Sequence, residues 1–246
     1  MARFFISRNK IQGVRGIIDG QELEHLGKSL RLVPGDHITV FDDTGWEHEA
    51  VIRALSPERG EIELVRSYQA ERESSLKITL AVGLTKGDKM DWVVEKATEL
   101  GVQNVIPFIS TYTVPKLDQK KIRNRVERWQ KIALSAAKQS GRTHVPEILA
   151  ICDFKELVEQ SFPDNVKLLF WERERERTLN DVRTEKGSVR GAVIGVGPEG
   201  GFSAAEVNLA RDNDFILTGL GPRILRAETA AVSAMSLVQF LWGDLG

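Results

Sequence analysis

Two glycine- and proline-rich segments carry the residue types in this chain most able to do chemistry. Residues 195–203 read Gly-Val-Gly-Pro-Glu-Gly-Gly-Phe-Ser, and residues 220–230 read Leu-Gly-Pro-Arg-Ile-Leu-Arg-Ala-Glu-Thr-Ala. Each segment follows an apolar run and precedes a helical pattern, so we expect both loops at one edge of a sheet. Open α/β folds bind nucleotide-like ligands at such an edge. The pattern therefore predicts a ligand pocket lined largely by backbone.

The first loop has the spacing of a dinucleotide-binding fingerprint, Gly195-x-Gly197-x-x-Gly200, after a predicted strand. Pro198 stands where a helix should begin to offer backbone N–H groups, and the helix signal starts only at Ser203. The next predicted strand ends in Gly-Pro-Arg, with no carboxylate to hold a ribose. These departures argue against a dinucleotide-dependent oxidoreductase. The Gly-Lys-Ser/Thr ending of a P-loop is also missing, so the sequence does not support an NTPase.

Composition narrows the class of protein. The chain has 246 residues, a formal net charge of -1 and a single cysteine, which excludes an intrachain disulfide. Its four histidines are scattered and show no zinc spacing, so no metal site is predicted. The first residues are too charged for a signal peptide, and no apolar run is long enough to cross a bilayer. We expect a soluble cytoplasmic protein with no membrane partner.

The pattern of elements changes along the chain. Residues 1–72 contain short strands separated by Gly/Pro turns, which is typical of a small barrel. A polar stretch at 68–75 is a candidate linker, and strands alternate with helices after it, which predicts a parallel sheet covered by helices. The predicted strands are 3–6, 36–41, 47–52, 61–65, 76–82, 105–109, 166–170, 191–195 and 215–219; the predicted helices are 23–30, 90–100, 121–139, one starting at Ser203, and 228–241.

The two loops also carry a specific resemblance. Gly197-Pro-Glu-Gly-Gly-Phe-Ser203 with residues 220–230 resembles the signature of the RsmE family, the 16S ribosomal RNA uridine-1498 N3-methyltransferases of the SPOUT superfamily. Two positions depart mildly from the family pattern: Ser29 stands where a Val- or Ala-type residue is usual, and Ala227 where Thr is frequent. Further matches make the resemblance span nearly the whole chain: His25-Leu26, Leu30-Arg-Leu32, Gly35-Asp36, Lys86-Gly-Asp-Lys-Met-Asp91, Glu95-Lys-Ala-Thr-Glu-Leu-Gly101 and Gln139-Ser-Gly-Arg142.

The resemblance implies an α/β fold class in two domains. Residues 1–72 would form a small N-terminal PUA-like β-barrel that helps bind RNA. Residues 73–246 would form a SPOUT methyltransferase domain, a parallel sheet with a deep trefoil knot. Family members act as homodimers packed through the knotted domains and use S-adenosylmethionine (SAM), so the resemblance implies this cofactor and 16S rRNA of the small ribosomal subunit as partner.

The resemblance also implies where SAM would bind. The glycines of the first loop would let the backbone approach the cofactor closely, and apolar residues of the second loop and of the strand before it would line the pocket. Phe170 and Trp171 would supply a third wall. For Leu217 a core role is an equal alternative. The implied cofactor residues are Phe170, Gly195, Gly197, Pro198, Glu199, Gly200, Gly201, Leu217, Leu220, Gly221, Ile224, Leu225, Arg226, Thr229 and Ala230.

Three residues are candidates for chemistry at uracil N3. Arg226 would stabilise the charge that develops on the uracil carbonyls. Glu199 and Glu228 would act as general base or orient Arg226. Structural roles are the alternative: Glu228 would favour a helix dipole, and Glu199 would cap loop amides. The implied RNA contacts are Arg3, Arg8, Lys10, Arg31, Lys86, Lys89 and Arg142.

Two other functions stay open on sequence grounds. An RNA-binding protein could keep this fold without catalysis, in which case it would not bind SAM. A SPOUT enzyme could also act on a different nucleoside or on transfer RNA, since the loops alone do not distinguish substrates.

Overall fold

The computed structural model describes residues 2–113 and 119–246. The chain forms two compact units. The first comprises the residues up to Glu73 together with Ala137–Val145, and the second comprises Ser74–Ala136 and Pro146–Gly246. Sequence reasoning placed 137–145 within its second domain. The assignment of an RNA-binding and a methyltransferase role to 1–72 and 73–246 stays a prediction.

The first unit contains a six-stranded sheet in the order β1-β4-β5-β6-β3-β2. β1 and β4 are parallel and the other neighbours are antiparallel. The short helix α1 (Gly20–Glu24) continues into one π-helical turn at His25–Ser29. The predicted strands are present, and β2 and β3 were not predicted. The strands are β1 Arg3–Phe5, β2 Ile11–Gln12, β3 Arg15–Ile18, β4 His37–Phe41, β5 Trp46–Leu55 and β6 Gly60–Gln69.

Hydrogen bonds explain why residues 137–145 belong to the first unit. The Glu73 carboxylate accepts from the Arg142 guanidinium and from the backbone N–H groups of Thr143 and His144. Arg3 donates to the backbone carbonyl of Arg142 at 2.6 Å, and Lys138 pairs with Glu22 at 2.9 Å. Such long-range polar contacts have no signature in a local sequence pattern.

The second unit contains a seven-stranded, wholly parallel sheet in the order β10-β8-β7-β12-β11-β13, with β9 also paired to β8. Its strands are β7 Lys77–Gly83, β8 Asn104–Ile109, β9 Glu147–Ile148, β10 Cys152–Asp153, β11 Val166–Phe170, β12 Gly191–Val196 and β13 Ile216–Thr218. Its helices are α2 Lys89–Glu99, α3 Gln119–Ser140 (which enters the first unit at Ala137), α4 Phe154–Glu159, α5 Leu179–Lys186, α6 Ala204–Asp212 and α7 Ala227–Trp242.

Helices cover both faces of the parallel sheet, as its continuously buried central strands require. On one face, Ala81 and Val193 pack in a core with residues of α4 and α6. Three phenylalanine rings pack there: Phe202 is stacked with Phe108 at 6.1 Å and tilted against Phe154 at 5.2 Å between ring centroids. On the other face, α7 packs against β7, β12 and α2. The predicted α/β fold class is therefore confirmed.

Local signals predicted several element ends. Ser203 caps α6, and its side chain and that of Glu206 form the predicted capping box. Gly101, with φ of 82°, follows α2 in the left-handed conformation that a helix C-terminus favours. β6 runs on to Gln69, into the stretch predicted as a linker. The trefoil knot stays a prediction. Within the described residues, no helix is both long and apolar enough to span a membrane.

We predict that Gly83→Ala destabilises the second unit. A Cβ at Gly83 would lie 2.4 Å from Pro198 Cδ and 2.5 Å from Pro198 N, so the loop after β12 would have to move. Overpacking of this kind costs ~1–3 kcal/mol. Scanning calorimetry should show a lowered unfolding temperature. Gly27→Ala is the control because a Cβ there meets no atom within 4 Å. Equal unfolding temperatures for Gly83→Ala and the wild type would contradict the prediction.

Candidate functional site

Three neighbouring parallel strands end at the same level in the second unit. Phe170, the last residue of β11, is paired with Val196 on one side and with Thr218 on the other. The loops that follow, 171–178, 197–203 and 219–226, therefore begin side by side at the carboxyl edge of the sheet. This is the position where parallel α/β sheets bind ligands.

A cavity of about 480 Å³ lies among these loops, within the size range of small-molecule sites. Most of the predicted cofactor residues line it. Gly195, Leu217 and Thr229 are absent from its lining. The lining consists of Lys89, Phe170, Trp171, Glu172, Val196, Gly197, Pro198, Glu199, Gly200, Gly201, Phe202, Leu220, Gly221, Arg223, Ile224, Leu225, Arg226, Ala227 and Ala230.

The three predicted residues outside the lining have other surroundings. Gly195 lies inside β12, where a Cβ would be 2.7 Å from Leu169 Cδ1, so a larger residue there would require the Leu169 side chain to shift. Leu217 is 5% exposed and belongs to the core that contains the stacked phenylalanines, which favours the core alternative. Thr229 lies exposed in the first turn of α7. Sequence spacing did not separate these residues from the true lining, because they differ from it only in tertiary position.

The loop 197–203 is held by its own backbone and by its neighbours. Gly201 N donates to Pro198 O at 2.9 Å, which closes a turn. Phe202 anchors the loop in the core, and Glu206 accepts a hydrogen bond from Thr111 N at 2.8 Å, which ties the start of α6 to the loop after β8. A Cβ at Gly200 would lie 2.6 Å from Tyr112 Cβ. A glycine is therefore needed at this position.

The other two loops are joined by backbone contacts. Trp171 N donates to Thr218 O at 3.0 Å, and Gly219 N donates to Arg177 O at 3.3 Å. A Cβ at Gly219 would lie 2.5 Å from Glu174 O, so only glycine allows this approach. The Arg175 guanidinium donates to Gly221 O at 2.9 Å. These bonds make the loop 171–178 part of the site, of which sequence reasoning predicted only Phe170 and Trp171, and both line the cavity.

The helix α7 starts at the cavity. Arg226 is its N-cap residue, in extended conformation with φ of −65° and ψ of 152°, and no side chain caps the helix. The first backbone N–H groups of α7 are thus left without a capping side chain beside residues that line the cavity. A helix N-terminus carries partial positive charge and favours negatively charged groups. The site therefore offers backbone donors to a ligand.

Three charged side chains meet beside the cavity: Lys89 and Glu199, which line it, and Glu228, which adjoins the lining. The Lys89 ammonium lies 3.0 Å from Glu199 Oε1 and 3.7 Å from Glu228 Oε2. Glu199 also accepts from Lys86 N at 3.1 Å. Partial burial raises the pKa of Glu199, but the hydrogen bonds from Lys89 and from Lys86 N outweigh it and leave the pKa below its usual value. The hydrogen bond to Glu199 raises the pKa of Lys89.

The buried polar atoms of the cavity are not all paired. Glu228 Oε2 and Trp171 Nε1 are closed to solvent and have no hydrogen-bond partner among the described residues. Arg226 is exposed, and neither it nor Arg223 makes a hydrogen bond or ion pair with a described side chain. The arginine predicted to stabilise charge is therefore free to meet a ligand.

The predicted RNA contacts fall into two groups by their partners. Arg3 pairs with Glu47 at 3.3 Å and lies over the Phe41 ring, and Arg142 is buried against Glu73. These internal contacts give Arg3 and Arg142 structural roles in the first unit.

The remaining cations are more accessible. Arg8 pairs with Asp42 yet its side chain is 62% exposed, and Lys10 pairs with Asp19. The side chains of Arg31 and Lys86 are exposed and make no ion pair with any residue that the structure describes. Among the described His, Cys, Asp and Glu residues, no group of three or more is placed to hold a metal ion.

We predict that Glu199→Gln destabilises the protein in a pH-dependent way. Because the pKa of Glu199 is lowered in the folded state, its charge stabilises the fold above the ordinary value of 4.5, and this contribution is lost as pH falls through the lowered pKa. The difference in unfolding free energy between wild type and variant should be largest near neutral pH and shrink in acid, as followed by urea unfolding.

The matched control is Glu176→Gln, because Glu176 is exposed on the neighbouring loop and its side chain makes no ion pair with a described residue. It should change stability little at any pH. A Glu199→Gln difference that stayed constant from neutral to acid pH would contradict the charge-based explanation.

Comparison with known proteins identifies the family. Residues 72–239 match the model of the RNA methyltransferase domain, and residues 18–65 match that of the RNA methyltransferase PUA domain. The chain is 35% identical to ribosomal RNA small subunit methyltransferase E of Bacillus subtilis, over 98% of this chain and 96% of that protein.

Comparison with solved structures supports the same family. The fold matches a ribosomal RNA small subunit methyltransferase E from Neisseria gonorrhoeae bound to S-adenosyl methionine, with a TM-score of 0.90, 36% identity and complete coverage of both chains. It also matches a putative methyltransferase from Legionella pneumophila in complex with SAM, with a TM-score of 0.91, 30% identity and 99% coverage of both chains. Since these matches span nearly the whole chain, the protein belongs to the ribosomal RNA small subunit methyltransferase E family.

Proposed function

We propose that this protein is a SAM-dependent methyltransferase that methylates N3 of uridine 1498 in 16S rRNA of the small ribosomal subunit. One observation carries the proposal: the two loops 197–203 and 219–226 form one cavity, with Arg226 exposed at its edge. Membership of the methyltransferase family supports the reaction class, and solved relatives of the same fold hold SAM.

The residues of the cavity fit SAM in chemistry and space. Phe170, Val196 and Leu220 offer apolar surface, and glycine backbone lines the loop 197–201. The uncapped start of α7 suits a carboxylate. The backbone approaches at Gly200 and Gly219 leave no room for a Cβ, so the shape of the cavity depends on these glycines.

When bound, SAM supplies an electrophilic methyl group. The protein then contributes placement and electrostatics. The loops hold the reacting groups together, which removes much of the entropic barrier. Uracil N3 carries a proton, and its loss leaves negative charge on the carbonyl oxygens. We propose that the Arg226 guanidinium stabilises that charge, since Arg226 has no competing partner among the described side chains.

The two carboxylates are suited to different tasks. Glu199 is held ionised by Lys89 and Lys86 N, and its lowered pKa makes it a weak proton acceptor, so we assign it to holding the loop. Glu228 has a carboxylate oxygen with no hydrogen-bond partner in the described structure and a side chain that is 15% exposed. Glu228 is therefore our candidate for accepting the N3 proton or orienting Arg226.

RNA binding is proposed for the accessible cations. Arg8, Lys10 and Arg31 of the first unit and Lys86 of the second would contact phosphates, which position RNA without reading sequence. The target uridine would be turned out of the RNA to reach the cavity. We further propose a cytoplasmic homodimer that packs through knotted second units.

The proposal is tested by methyl transfer to ribosomal RNA. The purified protein is incubated with isotopically labelled SAM and either free 16S rRNA or small subunits, and digested RNA is analysed by mass spectrometry. We expect labelled N3-methyluridine at position 1498. SAM binding measured by calorimetry separates the alternatives: absence of binding would indicate a non-catalytic RNA-binding protein, and label on another nucleoside would indicate a different substrate.

We predict that Arg226→Ala lowers the single-turnover methylation rate at saturating SAM by about a hundredfold or more, the usual effect of removing a charge-stabilising donor. Arg223→Ala is the matched control, because Arg223 lines the same cavity and is likewise exposed. Its rate should stay within a few-fold of wild type. A near-normal rate for Arg226→Ala would remove Arg226 from the mechanism.

A further inference from the structure

The electrostatics of α2 do not explain why a lysine, Lys89, stands at its first position. It is the first residue of α2, where the partial positive charge of the helix N-terminus disfavours a cation. Acidic residues are preferred there, and Asp91 is the only acidic residue in this first turn. The reason for a lysine must therefore lie in what its ammonium contacts outside α2.

Those contacts join three separate segments of the second unit. Lys89 is on α2, Glu199 is on the loop after β12, and Glu228 is in the first turn of α7. One ammonium lies 3.0 Å from the first carboxylate and 3.7 Å from the second. Both carboxylates belong to residues that line the cavity or directly adjoin its lining.

The burial of these groups strengthens the ion pairs. The side chains of Lys89, Glu199 and Glu228 are 36%, 32% and 15% exposed. Glu228 Oε2 is closed to solvent and has no hydrogen-bond partner in the described structure, so the Lys89 charge, together with the positive end of the α7 dipole, compensates its desolvation. Without Lys89, two carboxylates would face each other near the cavity with no cation between them.

We infer that Lys89 is a positioning residue that fixes the loop 197–201 against the start of α7 and so holds the cavity open before a ligand binds. The inference rests on the proposed function only for the identity of that ligand. It replaces the sequence-based assignment of Lys89 as an RNA phosphate contact, because the ammonium is already committed to two carboxylates. Lys89 acts through Glu199 and Glu228 and takes no part in bond making.

The experiment compares Lys89→Met with Lys89→Arg and with Lys86→Met. Methionine keeps the length of the side chain and removes the charge, and arginine keeps the charge. Lys86→Met is the matched control, because it also removes one positive charge. Only the backbone N–H of Lys86 contacts Glu199, and its side chain makes no ion pair with a described residue. Three quantities are measured: hydrogen exchange of amides 197–202 without ligand, the Kd for SAM, and the salt dependence of RNA binding.

We expect Lys89→Met to speed exchange of amides 197–202 and to weaken SAM binding, each by about two- to fivefold, the range for removing a partly exposed ion pair. Lys89→Arg should bring both the amide exchange rate and the SAM affinity most of the way back to the wild-type values. Lys86→Met should change neither the amide exchange rate nor the SAM affinity. The slope of log RNA affinity against log salt should be unchanged in Lys89→Met, whereas loss of a phosphate contact lowers it by about one unit.

A second variant guards against a merely structural effect. Glu199→Gln keeps an acceptor for Lys86 N and removes the charge that Lys89 pairs with. In the double variant with Lys89→Met, the losses in SAM affinity should be less than additive, because both substitutions remove the same pair. Additive losses would overturn the inference.

The outcomes separate this inference from the proposed function. Unchanged exchange of amides 197–202 in Lys89→Met, or a reduced salt slope with normal SAM affinity, overturns the positioning role. A wild-type protein that fails to bind SAM refutes the proposed function, while the exchange experiment, which uses no ligand, still decides whether Lys89 holds the loop.

Discussion

The site depends on backbone segments that approach each other more closely than a Cβ atom would permit. Pro198 packs against Gly83 at the end of β7, Gly200 lies against Tyr112, and Gly219 lies against Glu174 O. Each contact fixes one loop after a parallel strand to a neighbouring segment. Since loops 171–178, 197–203 and 219–226 begin at the same level of the sheet, these close approaches convert three strand ends into one cavity. The apolar lining and the charged groups take their positions from this framework.

Charge balance is the second constraint on the site. The starts of α2 and α7 each bring the positive end of a helix dipole, and Lys89, Arg223 and Arg226 add three cations. Glu199 and Glu228 offset the Lys89 charge by direct pairing, which leaves the Arg226 guanidinium without a partner among the described side chains. Lys89 is therefore paired within the protein, whereas the Arg226 guanidinium is available to a ligand.

The first unit is completed by a distant segment. The Glu73 carboxylate accepts hydrogen bonds from the Arg142 side chain, Thr143 N and His144 N, and Arg3 donates one to the Arg142 carbonyl. Two of the cations that the sequence pointed to as RNA contacts are thereby engaged in holding residues 137–145. A long cationic side chain can pack or form an ion pair within the protein as readily as it binds a phosphate, and sequence composition does not distinguish these roles.

The sequence alone determined the fold class, most strand and helix positions, the capping box of α6 and the two loops of the cavity, because each follows from local periodicity or from turn and cap chemistry. The tertiary structure decided which residues line the cavity and which segments pack together, because sequence spacing does not determine either. It placed Leu217 in the core, left Gly195 outside the cavity lining, brought Lys89 to the cavity, and assigned residues 137–145 to the first unit. The physical reason is that these outcomes depend on contacts between residues far apart in the chain, and local sequence patterns carry no record of such contacts.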